Sequence, residues 1–150
     1  MTNQEYHITL PIPISANRYY RTYMPRGFYA PVTVVSAEAK AYKRQVALLA
    51  RTAGIREPIK GRVAVHIRLY PQRPKDWKKR QAADPLGWDS TVRSMDLDNV
   101  RKVLYDAMEG ILFGDDKSVW FDSAERMKPD GEPRVVVSIS SISLESEGGV

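Results

Sequence analysis

The sequence predicts an α+β fold, in which two main helices pack on one face of a single mixed β-sheet. Several segments alternate apolar and polar residues, as strands do, and two longer segments repeat apolar residues every three or four positions, as helices do. The predicted order of strand, hairpin, helix, strand, loop, helix and two strands favours a mixed sheet. With 150 residues, 43% of them apolar, the chain is expected to form one domain over residues 1–150.

The amino-terminal half is predicted to contain a strand, a hairpin and a helix. Residues 6–10 alternate until prolines end the strand, and residues 32–35 form a second, short strand. Ser36 is a good N-cap for a helix that ends near Thr52, before Gly54. Its apolar stripe comprises Ala39, Tyr42, Val46, Leu49 and Ala53. Its outer face is basic, which fits either solvation or phosphate contact.

The carboxyl-terminal half begins with a strand over residues 62–70. Residues 71–94 are polar and irregular and are expected to form a flexible basic loop. Asp98 is expected to cap a helix over residues 99–109, with Val100, Val103, Leu104, Ala107 and Met108 as its buried stripe. Strands follow over residues 118–127 and 134–144, and the tail, residues 145–150, is expected to be frayed.

Charge is segregated along the chain. Residues 1–80 carry 16 Lys and Arg against 4 Asp and Glu, a net of +12, whereas residues 81–150 carry 7 against 14, a net of −7. The basic half favours a polyanionic partner, although a solvated mixed surface explains the charges equally well.

The sequence lacks the patterns of membrane segments and leaders, and it lacks the thiolate ligands of soft metals. There is no run of eighteen apolar residues and no leader pattern in residues 1–30, so we expect no membrane segment and a cytoplasmic location. The chain has no cysteine, and its two histidines lie in predicted strands far from the acids. Any metal is therefore expected to be a hard, oxygen-bound ion.

Two segments suit nucleic acid. Residues 15–30 interleave arginine, which contacts phosphate, with aromatic rings, which stack on unpaired bases. A hairpin around Pro25–Gly27 with its tyrosines in the core is the alternative, and both can hold. The loop over residues 71–94 is rich in lysine, arginine and tryptophan and could order on a DNA strand, or it could be a plain insertion.

One helix and the turn after it gather acids. Asp96 and Asp98 are two residues apart, Lys102 lies one helical turn after Asp98, and Asp115 and Asp116 follow the helix. Magnesium held by such carboxylates could support phosphodiester cleavage, with Asp96, Asp98 and Asp116 as ligands and Lys102 stabilising charge on the phosphate. Taken singly, each acid is better explained structurally: Asp98 as an N-cap, Asp96 as an exposed neighbour, and Asp115 and Asp116 as turn residues.

Four motifs together resemble one family. They are Asn17-Arg-Tyr-Tyr-Arg21, Ser36 opening a basic helix, Asp96-Leu-Asp-Asn-Val-Arg-Lys102 and Gly114-Asp-Asp116. They resemble the RusA-type Holliday junction resolvases over most of residues 5–142. The resemblance implies a cytoplasmic homodimer that cuts four-way DNA junctions by paired nicks in recombination and repair. It also implies Mg²⁺ as cofactor, for which Mn²⁺ can substitute.

The resemblance also assigns residues. It implies that Asp96, Asp98 and Asp116 match essential metal-binding acids and that Lys102 matches an essential lysine. The residues expected to bind DNA are Asn17, Arg18, Tyr20, Arg21, Lys78, Lys79 and Arg80. The long insertion before Asp96 departs from the family pattern. Two other functions stay open: a non-catalytic protein that holds branched or single-stranded DNA, and a nuclease for flaps, forks or RNA.

Overall fold

The main sheet is mixed, as predicted. The structure is a computed structural model that describes residues 4–144. Four strands, β1 (Glu5–Leu10), β4 (Val63–Tyr70), β5 (Val119–Arg126) and β6 (Arg134–Ser141), lie in the order β1-β6-β4-β5. Strand β6 pairs antiparallel with β1 and β4, whereas β4 and β5 run parallel. The predicted tail, residues 145–150, lies outside the described residues.

A second, two-stranded sheet corrects the prediction of a single sheet. Strands β2 (Tyr20–Tyr23) and β3 (Val32–Val35) form an antiparallel hairpin that is not joined to the main sheet. Pro11 and Pro13 interrupt the chain after β1, so these two short strands pair with each other instead of extending the larger sheet. The turn includes Gly27, whose φ of 83° suits glycine.

Helices α2 (Ala37–Thr52) and α4 (Leu97–Met108) cover one face of the main sheet, as predicted. Their apolar stripes join the inward-facing residues of β1, β4 and β6 in one buried cluster. All five residues of the predicted α4 stripe are buried. In α2 the buried position is Ala50, not Ala53, because the helix ends at Thr52 and Ala53 is exposed.

The N-caps of the two helices differ in how well the sequence predicted them. The Ser36 hydroxyl accepts a hydrogen bond from the Ala39 amide at 3.1 Å, as expected of the α2 cap. Helix α4 is capped by Asp96, not by Asp98: Asp96 Oδ1 accepts from the Asn99 amide at 2.8 Å. Asp96 has an extended backbone with ψ of 157°, which leaves Asp98 inside the first helical turn.

The prediction of an irregular loop over residues 71–94 is wrong. This segment contains helix α3 (Trp77–Ala83) and a 3-10 turn over Trp88–Thr91. Trp88 is only 2% exposed and packs against Trp77, with 6.4 Å between the ring centroids. Burial of this large ring supplies the apolar anchor that the polar composition did not indicate. The flexibility of the segment stays a prediction.

The remaining described elements agree closely with the expected ones. Strands β5 and β6 match the strands predicted over residues 118–127 and 134–144, although β6 ends three residues earlier. A short helix, α1 (Ala16–Tyr19), precedes the hairpin. Within residues 4–144, no helix has both the length and the apolar character needed to cross a membrane.

Candidate active site

The amino-terminal end of α4 presents the first two predicted acids. Asp96, the N-cap, is exposed, and one of its carboxylate oxygens accepts a hydrogen bond from the helix backbone. The Asp98 side chain is 100% exposed, and its nearest charged partner is Arg101, with 3.8 Å between Asp98 Oδ1 and Arg101 Nη1. Both carboxylates therefore have oxygens open to an incoming cation. The positive end of the α4 dipole adds to the stabilisation of negative charge here.

Tyr20 links the hairpin to the other two predicted residues. The Lys102 ammonium lies 5.3 Å from the centroid of the Tyr20 ring. Burial first, and then the carboxylates of Asp106 and Asp116, raise the pKa of the Tyr20 phenol. Asp116 opens a 3-10 turn that Asp115 caps, since Asp115 Oδ1 accepts from the Lys117 amide at 2.8 Å. Lys102 therefore lies over the Tyr20 ring, and the charge of Asp116 acts on the pKa of the same phenol.

The donor set suits a hard cation bound by few ligands. Among residues 4–144, no three His, Asp or Glu side chains converge closely enough to form a metal-binding group. A closed three-carboxylate cage is therefore absent from the described chain. Mg²⁺ nevertheless commonly takes only one or two carboxylates, with water and substrate phosphate completing its shell. The exposed oxygens of Asp96, Asp98 and Asp116 fit that mode of binding.

Two of the four predicted DNA-binding residues of the amino-terminal segment, Asn17 and Tyr20, line one open cavity. Its volume is about 560 Å³, and it is lined by Ala16, Asn17, Tyr20, Thr22, Thr33 and Lys102. Arg18 is an exception, because its guanidinium pairs with Glu38. Arg21 is exposed on β2, with its guanidinium 5.3 Å from the Tyr23 ring centroid. A ligand that enters this cavity meets Lys102. Asp96 lines a second cavity, together with Ser15 and Asn99.

The predicted DNA-binding residues of α3 differ in their freedom. Lys78 and Lys79 are exposed, and the Lys78 ammonium lies 5.7 Å from the Trp77 ring centroid. Arg80 instead has a structural role, because its Nε lies 2.8 Å from Asp76 Oδ1 and its Nη1 donates to the Thr91 hydroxyl at 3.1 Å. Of these three cations, the two lysines have the freer charged groups.

Sequence reasoning missed a cluster beside Asp98. Arg101 Nε lies 2.9 Å from Asp122 Oδ2, and the Tyr105 hydroxyl donates to that same oxygen at 2.7 Å. The Arg101 contact is an ion pair without an aligned hydrogen bond, because the buried Nε has no hydrogen-bond partner. Burial and the bond to Asp122 raise the pKa of Tyr105, so its hydroxyl stays protonated. The helical spacing of residues 98, 101 and 105 was visible, but Asp122 comes from β5.

Sequence reasoning also missed what Asn99 does. Its side-chain Oδ1 accepts a hydrogen bond from the Ala16 amide at 2.8 Å. This bond ties the start of α1 to the first turn of α4. Asn99 therefore fixes the amino-terminal segment against the helix that carries the acids.

Comparison with known proteins shows the family of the chain. The family model described as endodeoxyribonuclease RusA matches residues 11–140. A crossover junction endodeoxyribonuclease of Enterobacteria phage 82 is 33% identical over 124 residues, which cover 80% of this chain and 75% of the relative. The proteins of the same name from Escherichia coli K12 and Shigella sonnei are 34% and 32% identical over the same shares. The chain is a member of the RusA endodeoxyribonuclease family.

Proposed function

We propose that this protein is a structure-selective endodeoxyribonuclease that resolves four-way DNA junctions in recombination and repair. Its relatives are named for endonuclease activity at crossover junctions. The observation that carries the proposal is the amino-terminal end of α4, where Asp96 and Asp98 present exposed carboxylates and Lys102, one turn further along, lies 5.3 Å from the centroid of the Tyr20 ring. Because the proposed substrate is DNA, we place this activity in the cytoplasm.

Asp96, Asp98 and Asp116 would hold Mg²⁺, or Mn²⁺ in its place. When bound, the ion supplies an activated water and neutralises charge on the scissile phosphate. Lys102 would contribute a second positive charge to the phosphate, since it lines the cavity that Asn17 and Tyr20 also line. Tyr20 would hold Lys102 in place through its ring.

DNA would contact two surfaces of the chain. Asn17 and Tyr20 line the cavity with Lys102, and Arg21 follows Tyr20 on β2 with its side chain exposed. Lys78 and Lys79 project from α3 in the insertion and suit phosphate contacts on a DNA arm. Arg18 and Arg80 would act mainly by fixing these segments, because each is already paired with a carboxylate.

A homodimer would supply the paired nicks. A four-way junction has two symmetry-related strands to cut, and a two-fold dimer carries one centre for each. This assignment is supported by the symmetry of the proposed substrate.

The substitution Asp98→Asn tests the metal assignment. It removes a ligand charge but keeps the size of an exposed side chain, so junction cleavage in Mg²⁺ or Mn²⁺ is expected to fall by at least about 100-fold. Binding to the junction, measured in Ca²⁺, is expected to persist. Glu57→Gln, at another exposed acid, is the matched control and should cleave normally. Equal cleavage by Asp98→Asn and the wild type would refute the assignment.

A further inference from the structure

The charged side chain nearest to the Asp98 carboxylate is a cation shared between two acids. Arg101 lies 3.8 Å from Asp98 through Nη1 and 2.9 Å from Asp122 through Nε. Asp98 is fully exposed, whereas the side chain of Asp122 is 35% exposed. Because water screens the pair with Asp98 more strongly, and because its distance is longer, Asp122 is the stronger of the two partners.

The position of Asp122 is itself fixed from the core. The Tyr105 hydroxyl donates to Asp122 Oδ2 at 2.7 Å, so the oxygen that faces Arg101 has a second contact. The Tyr105 ring meets the buried Phe113 ring edge-to-face, at 6.1 Å between centroids. A chain of contacts therefore runs from Phe113 through Tyr105 and Asp122 to Arg101.

We propose that Asp122 and Tyr105 are positioning residues that keep Arg101 from pairing more closely with Asp98 and so leave the Asp98 carboxylate available to a divalent cation. The inference rests on the proposed function, in which Asp98 is a metal ligand. If Asp122 lost its charge, Arg101 would turn toward Asp98 and compete with the cation. If Arg101 lost its charge, the competitor would be gone.

The test measures Mn²⁺ binding to the protein without DNA. The electron paramagnetic resonance signal of free Mn²⁺ reports how much of the ion is bound. Asp122→Asn is expected to weaken binding about twofold to fivefold, the size of one partly exposed ion pair. Arg101→Gln is expected to strengthen binding by a similar factor. Tyr105→Phe, which changes no charge, should weaken binding in the same direction as Asp122→Asn but less.

The double variant separates positioning from a simple charge effect. If Asp122 acts through Arg101, then Arg101→Gln with Asp122→Asn binds Mn²⁺ as tightly as Arg101→Gln alone. If the two charges act independently through space, their effects add and the double variant returns to the wild-type affinity, which would overturn the proposal. Glu125→Gln, on the same strand, controls for loss of a charge from β5.

Asp98→Asn distinguishes failure of this inference from failure of the proposed function. When the wild type binds Mn²⁺, Asp98→Asn binds it weakly, and the other variants do not shift as stated, only the role of Arg101, Asp122 and Tyr105 is wrong. When the wild type and Asp98→Asn bind Mn²⁺ alike, or neither binds it, the metal assignment itself is wrong and the inference falls with it.

Discussion

Individual arginine and lysine side chains in this protein differ in what they are free to contact. Arg18 pairs with Glu38 and Arg80 pairs with Asp76, so their charges are already committed within the fold. Lys102 instead lies over an aromatic ring and keeps its ammonium at the cavity. The sequence predicted all three as functional cations, but only packing decides which of them keeps a free charge.

Lys102→Met is expected to abolish most junction cleavage while leaving the fold and DNA binding nearly intact. The methionine retains an apolar stem against Tyr20 but removes the charge that stabilises the phosphate, a loss of about two orders of magnitude in rate. Single-turnover cleavage and junction binding in Ca²⁺ provide the measurement. Lys60→Met, at an exposed position before β4, is the control. Retention of full activity in Lys102→Met would exclude a role for this lysine in cleavage.

Some contacts between the site residues could be predicted from their spacing in the sequence, whereas others arise only from the packing of distant elements. Asp96, Asp98 and Lys102 are close in sequence on one helix, so their proximity could be predicted. Asp122 lies on β5 and reaches Arg101 only through the packing of α4 against that strand. Tyr20 lies over Lys102 through packing between segments that are distant in sequence, which includes the bond from Ala16 to Asn99.

At the scale of elements, α4 couples folding to the active site through its cap. Asp96 both closes the helix and belongs to the predicted metal ligands. The sequence could not assign the cap correctly, because Asp96 and Asp98 are both good capping residues and only the backbone conformation distinguishes them. One residue therefore has a structural role and a proposed catalytic role.

Two substitutions at Asp96 separate these roles. Asp96→Ala removes both the cap and the carboxylate, so it is expected to lower the free energy of unfolding by about 0.5–2 kcal/mol and to abolish cleavage. Asp96→Ser keeps a capping oxygen, so its stability should stay near that of the wild type while cleavage is lost. Urea denaturation and the junction assay measure the two effects. If Asp96→Ser cleaves normally, Asp96 is only a cap.

Local sequence patterns were sufficient to predict some of the strands and helices but not others. Strand β4 and helices α2 and α4 have strong apolar periodicity, and the structure contains them close to the predicted positions. Helix α3 has seven residues, none of them buried, so it has little periodic signal of its own. Trp88, which follows α3 in sequence, is buried and packs against Trp77, and long-range burial of this kind is not visible in local periodicity.

In the whole molecule, the cations that would attract DNA and the acids that would bind metal come mainly from different halves of the sequence. The first 80 residues supply the basic α2 surface, the hairpin segment and most of the cations of the insertion, and the later residues supply the acids. The fold joins the two halves where α1 and the hairpin pack against α4. The acids are thus placed beside the surface that would attract a DNA backbone.

Cleavage of a four-way junction and of linear duplexes with the same arm sequences tests the central claim most directly. With each strand labelled in turn and Mg²⁺ present, a junction resolvase is expected to make symmetric nicks in two opposing strands of the junction and to leave the linear duplexes intact. A plasmid cruciform should be linearised, because a dimer makes both nicks within one binding event. Equal cutting of junction and duplex, or no cutting of either in Mg²⁺ and Mn²⁺, would show that the protein is not a metal-dependent junction resolvase.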